Sequence, residues 1–314
     1  MSRALWHVSP RHSELRDVCH PENQSLQQVH ALFSMVSTGT ERLVARGEVD
    51  AACDQSMSVP FMEGSFELPI KYGYSLVGSN EDGEILHCMH PHQSIVYVAE
   101  DNFFLAPEGV PARRMALLSN IETVITAIWD AAPDDFHNVA ICGFGNIGSL
   151  LATTLRLTSG ADPIVVEVDP WRRKHAADLG FQSCEPSDLR DEFCVCFNTT
   201  SSETGLQWCI DHLGIEGTVV ELSWYGKRSV SLALGRRFHR NRIRIVSSQV
   251  ATIPAHMQEQ VSVADRKRIC VDLLTDNGFD ELITNEIAFE ESPQFFDLLR
   301  RGRQGNGVIW MIKY

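Results

Sequence analysis

Residues 138–169, NVAICGFGNIGSLLATTLRLTSGADPIVVEVD, contain the pattern that decides the fold of this chain. An apolar run from Val139 to Cys142 leads directly into the motif Gly143-Phe-Gly145-Asn-Ile-Gly148, and a helical stretch follows. A second, β-branched run then ends at an acid, Glu167, which lies 19 residues past the last glycine of the motif. This order of strand, glycine turn, helix, strand and acid is typical of a βαβ unit that binds a dinucleotide.

Each glycine of the motif has its own predicted role in binding the cofactor's phosphates. Gly143 would permit a tight turn, Gly145 would let the backbone approach a pyrophosphate, and Gly148 would let the helix pack closely on the strand. Glu167 would accept the ribose hydroxyls, which favours NAD over NADP. Arginines are the usual phosphate binders, so the pair at 172–173 weakens that preference. The alternative is that both arginines are exposed charges on the next helix. The predicted cofactor-binding residues are therefore Gly143, Gly145, Asn146, Ile147, Gly148, Glu167 and Arg172.

The composition of the 314-residue chain is that of an ordinary globular protein, with 44% apolar and 22% charged residues. The formal net charge of −14 argues against nucleic acid or an anionic membrane as a partner, since either would need a basic face. No apolar run is long enough for a membrane helix, and the first 15 residues lack the apolar core of a signal peptide. Nine scattered cysteines suit a reducing compartment. We therefore expect a cytoplasmic protein without disulfides that acts on a small molecule.

The predicted secondary structure changes near residue 119. Before it, the sequence predicts short strands separated by turn-forming residues, as in VHALFSMV (29–36) and GEILHCM (83–89). After it, a helix in SNIETVITAIWDAA, capped by Ser119 or Asn120, opens an alternation of strands and helices. Such alternation predicts an α/β fold with a doubly wound parallel sheet.

Four segments outside the glycine motif resemble the medium-chain dehydrogenases/reductases, the superfamily of zinc alcohol dehydrogenases and quinone oxidoreductases. ALFSMVSTGTERL (31–43) is similar to the family's first catalytic loop, and LPIKYGYSLVG (68–78) is similar to its second. MALLSNIETVITAIWDA (115–131) resembles the helix that leads into the nucleotide domain. ELITNEIAFEESPQFFDLL (281–299) resembles the C-terminal segment that packs back on the catalytic domain.

The resemblance implies a GroES-like catalytic domain, 1–118 plus 276–314, and a Rossmann dinucleotide-binding domain, 119–275. It also implies an oxidoreductase that transfers a hydride between NAD(P)(H) and a small carbonyl, alcohol or activated alkene. The strings STGTERL, KYGYSLVG, HPHQ and ELSWYG are similar to a bacterial branch whose members are known only as dehydrogenases. Relatives often join the edge strands of two nucleotide domains, and the β-branched run RIRIVSS (242–248) favours a homodimer of that kind.

The chain departs from the zinc enzymes at each ligand position. Thr38 stands where they carry a metal-binding cysteine before Gly-Thr-Asp, and Tyr74 replaces the histidine of their Gly-His-Glu. The third ligand position falls near Ser119 or Asn120. A catalytic zinc needs three protein ligands drawn from cysteine, histidine and carboxylate, so the sequence predicts a zinc-independent enzyme.

One segment, His87-Cys-Met-His90-Pro-His92, has metal-ligand residue types at an awkward spacing. In a strand, positions 88, 90 and 92 would share one face, while His87 would point to the other and Pro91 would interrupt pairing. Two alternatives stay open. Either the segment binds a metal, or it is a loop in place of the family's structural zinc lobe, with histidines that are exposed or line the cleft.

Without zinc, the predicted catalytic residues are Tyr74, Thr38 and Thr40. Tyr74 would point into the cleft between the domains and donate a proton or a hydrogen bond to a carbonyl oxygen, because a phenol with an ordinary pKa of about 10 suits an acid. Thr38 and Thr40 would offer hydroxyls to the nicotinamide or the substrate, as matching residues do in relatives. The alternatives are that Tyr74 only fills the space left by the metal, and that the chain is a catalytically inactive dinucleotide-binding sensor or assembly protein.

Overall fold

The computed structural model describes residues 2–19, 25–132, 136–189 and 192–314. The chain divides into two compact units, one formed by Met1–Ser119 with Ile283–Tyr314 and the other by Asn120–Leu282. The strands of the described residues are, in chain order, β1 (Ser2–Ser9), β2 (His12–Val18), β3 (Gln27–Val36), β4 (Glu63–Gly64), β5 (Ile70–Lys71), β6 (Leu76–Ser79), β7 (Ile85–Cys88), β8 (Ile95–Val98), β9 (Phe103–Leu105), β10 (Val139–Cys142), β11 (Ile164–Val166), β12 (Ser183–Cys184), β13 (Phe193–Asn198), β14 (Leu213–Glu221), β15 (Arg244–Ser247), β16 (Ile283–Ala288) and β17 (Ile309–Lys313). The helices are α1 (Thr38–Ala45), α2 (Ala112–Met115), α3 (Leu118–Ala131), α4 (Asn146–Ser159), α5 (Pro170–Asp178), α6 (Glu203–Asp211), α7 (Arg237–Arg240), α8 (Val263–Leu273) and α9 (Ser292–Arg300).

The first unit is a β structure made of two sheets. One has four strands in the order β2-β1-β5-β4. The other has seven, along the path β16-β17-β3-β6-β7-β9, with β8 also paired to β3. The tail of the chain joins this unit through β17, which runs antiparallel to β3 with Trp310 opposite Val36. The predicted GroES-like β fold is therefore confirmed.

The core of the first unit forms where helix α9 meets the strands. Phe296 of α9 is fully buried and belongs to an apolar cluster with Leu5 of β1 and Trp310 of β17. Its ring lies 4.6 Å from the ring of His7 and 6.2 Å from that of His92, measured between centroids. Two buried histidines are thus held against an aromatic surface.

The second unit contains the parallel sheet that the glycine motif predicts. Its six strands lie in the order β12-β11-β10-β13-β14-β15, and every neighbouring pair is parallel. The chain leaves β10 towards β11 and β12 on one side, and later returns to build β13, β14 and β15 on the other. In sheets of this order, ligands bind beyond the carboxyl ends of the strands at the point of reversal, here beside β10 and β13.

The predicted elements are largely confirmed, and the differences lie at their ends. Helix α3 begins at Leu118, so the prediction that Ser119 or Asn120 caps it is wrong. The Ser119 hydroxyl instead donates to the carbonyl oxygen of Tyr74. Strand β6 begins at Leu76, three residues after Gly73, whose φ of 134° is not that of a regular strand.

The structure also bears on the expectations about membrane helices and disulfides. In the described part of the chain, no helix is long and apolar enough to cross a membrane. All nine cysteines are free thiols, and Cys142, Cys196 and Cys209 are buried in the apolar core of the second unit.

Candidate functional site

The turn after β10 has the geometry of a phosphate-binding loop. Gly143 adopts a φ of 98° and donates its N–H to Val166 O at 2.8 Å. A Cβ on Gly148 would lie 2.0 Å from the carbonyl oxygen of Gly143, so helix α4 packs on the turn at a distance that only glycine permits. Among the described residues, a Cβ on Gly145 would meet only the Arg172 guanidinium, at 3.6 Å. The backbone at Gly145 is therefore open to a ligand.

Glu167, which directly follows β11, is fixed against this turn. Its Oε2 accepts the N–H of Phe144 at 2.7 Å, and its Oε1 accepts the N–H of Asp169 at 2.9 Å. The residue is only 6% exposed. The carboxylate thus braces the glycine turn, a structural role that comes in addition to the predicted contact with ribose hydroxyls.

The two arginines that follow Glu167 differ in their surroundings. Arg173 donates to the carbonyl oxygens of Glu167 and Val168, at 2.8 and 2.7 Å, and pairs with Glu185. Arg172 instead extends towards Gly145. Of the two, Arg172 is the arginine whose charge lies beside the glycine turn.

The first turn of helix α4 contains the remaining predicted cofactor residues. Asn146 and Ile147 are its first two residues, and Ser149 donates its N–H back to Gly145 O at 3.0 Å. The N–H groups at the start of a helix have no partner within it and carry the positive end of the helix dipole. This end of α4 therefore suits an anionic group.

A polar cluster that the sequence analysis missed lies at the carboxyl ends of β13 and β14. The Asn198 amide donates to Glu221 Oε2 at 2.7 Å and to the Tyr225 hydroxyl at 3.2 Å. The Tyr225 hydroxyl donates to the same Glu221 oxygen at 3.1 Å. Burial, with the charge of Glu221 adding to it, raises the pKa of Tyr225, so this phenol stays protonated. The sequence contains one indication of this cluster, because the strings NTT (198–200) and ELSWY (221–225) come at the ends of apolar runs.

In the first unit, Tyr74 lies against the start of helix α1. The side chains of Ser37 and Thr40 lie beside its hydroxyl, and its ring packs edge-on against Tyr72. Burial raises the pKa of Tyr74 to about 12, and the nearby charge of Glu41 adds to this shift, while Ser37 and Thr40 act against it. The structure thus brings Tyr74 and Thr40 together, while Thr38 lies at the start of the same helix and is partly exposed.

The three histidines of the segment 87–92 are buried and face separate partners. His87 is hydrogen bonded to the hydroxyls of Ser75 and Ser119 at 3.0 and 3.2 Å. His90 stacks on Phe61, and burial lowers its pKa to about 3. His92 contacts Glu41 at 2.8 Å. The expectation that these histidines are solvent-exposed is wrong, because each has its own polar or aromatic partner inside the fold.

The donor atoms of this region do not match a metal site. Cys88 is 1% exposed, and burial raises the pKa of its thiol to about 12. Within the described ranges, no group of three or more histidine, cysteine, aspartate or glutamate side chains could hold a metal ion. The family's zinc-ligand positions carry a hydroxyl at Thr38, a protonated phenol at Tyr74 and, at 119–120, a hydroxyl and an amide. These are not the ligands that a catalytic zinc takes.

Asn120, at the third of these positions, is unusual in its own right. It is 1% exposed, and neither atom of its amide has a hydrogen-bond partner among the described residues. A buried amide without partners is costly, about 1–3 kcal/mol for each unsatisfied group. The Asn120 amide is therefore a buried polar group whose hydrogen bonds the described residues do not satisfy.

Comparisons with known proteins agree with this architecture. No family model matches the chain. The (R,R)-butanediol dehydrogenase of Bacillus subtilis (strain 168) is 26% identical over 212 residues, which are 60% of this chain and 59% of that protein. The chain matches between 55% and 66% of the length of its curated relatives.

Solved structures match over the whole chain. The crystal structure of 2R,3R-butanediol dehydrogenase from Bacillus subtilis superposes with a TM-score of 0.78 at 15% identity and covers 100% of both chains. A short chain alcohol dehydrogenase (rspB) from E. coli CFT073, complexed with NADH, gives 0.75 at 12% identity over 100% of this chain and 99% of that one. At such identities the similarity shows the fold.

Replacing Glu167 by alanine should destabilise the second unit. Two backbone N–H groups, of Phe144 and Asp169, would lose their acceptors, each at a cost of about 1–3 kcal/mol. We expect the free energy of unfolding to fall by about 2–6 kcal/mol, measured by urea denaturation followed by circular dichroism. The matched control is Glu185→Ala, which removes a half-exposed carboxylate paired with Arg173 and should cost about 1 kcal/mol or less. Equal losses in the two variants would show that Glu167 does not brace the turn.

Proposed function

We propose that this chain, whose resemblance to the medium-chain dehydrogenases/reductases is confirmed, is a zinc-independent oxidoreductase. It would transfer a hydride between NAD(P)(H) and a small carbonyl, alcohol or activated alkene. The observation that carries the proposal is the Tyr74 phenol, which lies beside Ser37 and Thr40 at the position where the zinc enzymes have a metal-binding histidine. The proposal assigns cofactor binding to the second unit and proton donation to the first.

The residues of the second unit fit a nicotinamide dinucleotide. The left-handed Gly143, the open backbone at Gly145 and the first turn of α4 together form a cradle for a pyrophosphate. Glu167 lies at the end of β11, where a carboxylate accepts ribose hydroxyls and disfavours a 2′-phosphate. The positive charge of Arg172 beside Gly145 would partly offset the repulsion between Glu167 and a 2′-phosphate. We therefore propose NAD as the preferred cofactor and NADP as an accepted one.

Tyr74 is the proposed proton donor. When bound, the nicotinamide supplies or accepts the hydride. Because its pKa is raised to about 12, Tyr74 remains protonated at neutral pH and can give its proton to an oxygen that becomes negatively charged in the substrate. The hydroxyls of Ser37 and Thr40 beside it would orient the phenol and stabilise the phenolate that remains. Thr38, at the N-terminus of α1, is proposed to hydrogen bond the substrate or the nicotinamide.

Titration and substitution together test the proposal. NADH and NADPH are added to the purified chain and binding is followed by nucleotide fluorescence. Reduction of a panel of small aldehydes, ketones and enones is then measured. We expect Tyr74→Phe to lower kcat by about 10² to 10⁴-fold, the usual contribution of a general acid, while the affinity for NADH changes little. Tyr97→Phe is the matched control, since its hydroxyl contacts Gln28 of β3, and should leave kcat unchanged.

Two results would contradict this assignment. Full activity of Tyr74→Phe would mean that the phenol only fills space, and Thr38 or Thr40 would then become the candidate donor. Tight binding of NADH without turnover of any member of the panel would favour the inactive sensor or assembly protein.

Zinc independence is a proposal that rests on the donor set. Elemental analysis of the chain, purified without chelators from zinc-supplemented medium, should find well below one zinc atom per chain, because the ligand positions carry hydroxyl, phenol and amide groups. Dialysis against a chelator should leave both NADH binding and turnover unchanged. Stoichiometric zinc that is lost together with activity would overturn the proposal.

A homodimer is proposed from the edge of the parallel sheet. Strand β15 ends the six-strand order, no described strand pairs with its outer edge, and Ile245 is 38% exposed there. Light scattering should give twice the 35.2 kDa mass of the chain, and Ile245→Lys should give monomers because a charge on an edge strand opposes pairing. The control Leu298→Lys, at an exposed position of α9, should stay dimeric. A monomeric wild type would refute the proposal.

The cytoplasm is the proposed location, on the strength of the nine free thiols, which suit a reducing compartment. Domain bounds of 1–118 with 276–314 and 119–275 are likewise proposed as the catalytic and nucleotide-binding portions.

A further inference from the structure

We propose that Glu41 and His92 form a positioning pair for Tyr74: they lock the turn that carries Ser37 and Thr40, and thereby hold the phenol in one orientation. The inference rests on the proposed role of Tyr74 as proton donor. Neither Glu41 nor His92 was singled out for this role by the sequence. Both act through other groups, so they are positioning residues.

The pair itself is fully enclosed. His92 Nε2 lies 2.8 Å from Glu41 Oε2, and both side chains have no exposed surface. A carboxylate in such a place must have its oxygens satisfied, or its burial would be strongly unfavourable. The second oxygen, Oε1, accepts the backbone N–H of Ser37 at 2.7 Å. Glu41 therefore connects His92 to the residue that precedes helix α1.

This connection reaches Tyr74 by two routes. The first runs through the turn, because the side chains of Ser37 and Thr40 on either side of it lie beside the Tyr74 hydroxyl. The second runs through Gly73, since a Cβ there would lie 3.1 Å from His92 N and 3.2 Å from His92 Nε2. The residue before Tyr74 thus packs directly on the imidazole. Moving His92 would disturb both the backbone of Tyr74 and the hydroxyls that hold its ring.

His92 is itself held from the other side. Its Nδ1 lies 2.7 Å from the Ser34 hydroxyl, which lies 2.9 Å from the hydroxyl of Tyr314. One order of donors satisfies all these atoms: Tyr314 donates to Ser34, Ser34 donates to His92 Nδ1, and His92 Nε2–H donates to Glu41. The ring of Phe296 closes the remaining side.

The primary experiment reads the Tyr74 hydroxyl without any substrate. The full chain, which has five tyrosines, is labelled with 3-fluorotyrosine and studied by ¹⁹F NMR; the Tyr74 resonance is the one missing from Tyr74→Phe. We expect one sharp Tyr74 resonance in the wild type, and a shifted and broadened one in His92→Leu. His92→Gln, whose amide can still donate to Glu41, should restore the wild-type position. The Tyr97 and Tyr225 resonances should stay in place in every variant.

A matched control separates this effect from the loss of any well-bonded histidine. His212 of the second unit contacts the carbonyl oxygens of Trp208 and Leu189, at 2.8 and 3.2 Å. His212→Leu should lower the unfolding temperature but leave the Tyr74 resonance unchanged. If His92→Leu does not fold, Ser34→Ala takes its place; it removes the shared partner of His92 Nδ1 and the Tyr314 hydroxyl, leaves the contact between His92 and Glu41, and should broaden the same resonance to a smaller extent.

The second measurement is a double-mutant cycle on the best substrate of the carbonyl and enone panel. His92→Leu should lower kcat by about 10²-fold, the loss that a misplaced catalytic group typically causes, with little change in the KM for NADH. In the Tyr74→Phe background the same substitution should have no further effect on kcat, because the group it positions is absent. A purely structural role would reduce kcat equally in both backgrounds and would overturn the inference.

The two proposals fail in different ways. If Tyr74→Phe retains full activity, the proposed proton donor is wrong, whereas the ¹⁹F measurement still decides whether His92 positions the phenol. If the Tyr74 resonance is unchanged in a folded His92→Leu, or in Ser34→Ala when that variant takes its place, the positioning pair is wrong whatever the activity shows.

Discussion

The contact between Gly148 and the carbonyl oxygen of Gly143 is the constraint on which the second unit depends. No side chain fits between helix α4 and the turn, since even a methyl group would come within 2.0 Å of that oxygen. This close approach directs the start of α4 at the open backbone of Gly145. Glu167 then fixes the same turn from β11 through the N–H of Phe144. Packing and a hydrogen bond to its backbone therefore hold the glycine turn in place.

In the first unit, a turn is likewise held in place, here by buried side chains. A series of hydrogen bonds runs from Tyr314 on the tail through Ser34 and His92 to Glu41, and ends at the backbone of Ser37. Every member of the series is satisfied, which is the condition under which buried polar groups make a fold more specific. The series thereby fixes the residue that precedes helix α1.

Features that depend on neighbouring residues could be predicted from the sequence, whereas features that depend on distant residues could not. The glycine turn was predictable because steric limits within ten residues fix it, and the strands because their apolar runs are short and bounded. The burial of His92 was not, since its partner Glu41 is 51 residues away and no spacing rule links them. Ser119 was assigned as a cap because its residue type suits one, but its hydroxyl bonds the carbonyl of Tyr74 instead. Contacts between residues far apart in the sequence determine the surroundings of both His92 and Ser119.

The position of β17 has a consequence for the order in which the chain folds. The second unit is a continuous stretch, Asn120–Leu282, and all its strand neighbours are synthesised together. The first unit is interrupted by it, and β3 lacks one of its neighbours until the final residues of the chain form β17. A nascent chain would thus complete the second unit first. Until β17 forms, the seven-stranded sheet of the first unit would keep an unpaired edge at β3. Such an edge is a template for wrong pairing, so the interval before the tail arrives is when this protein is most exposed to aggregation.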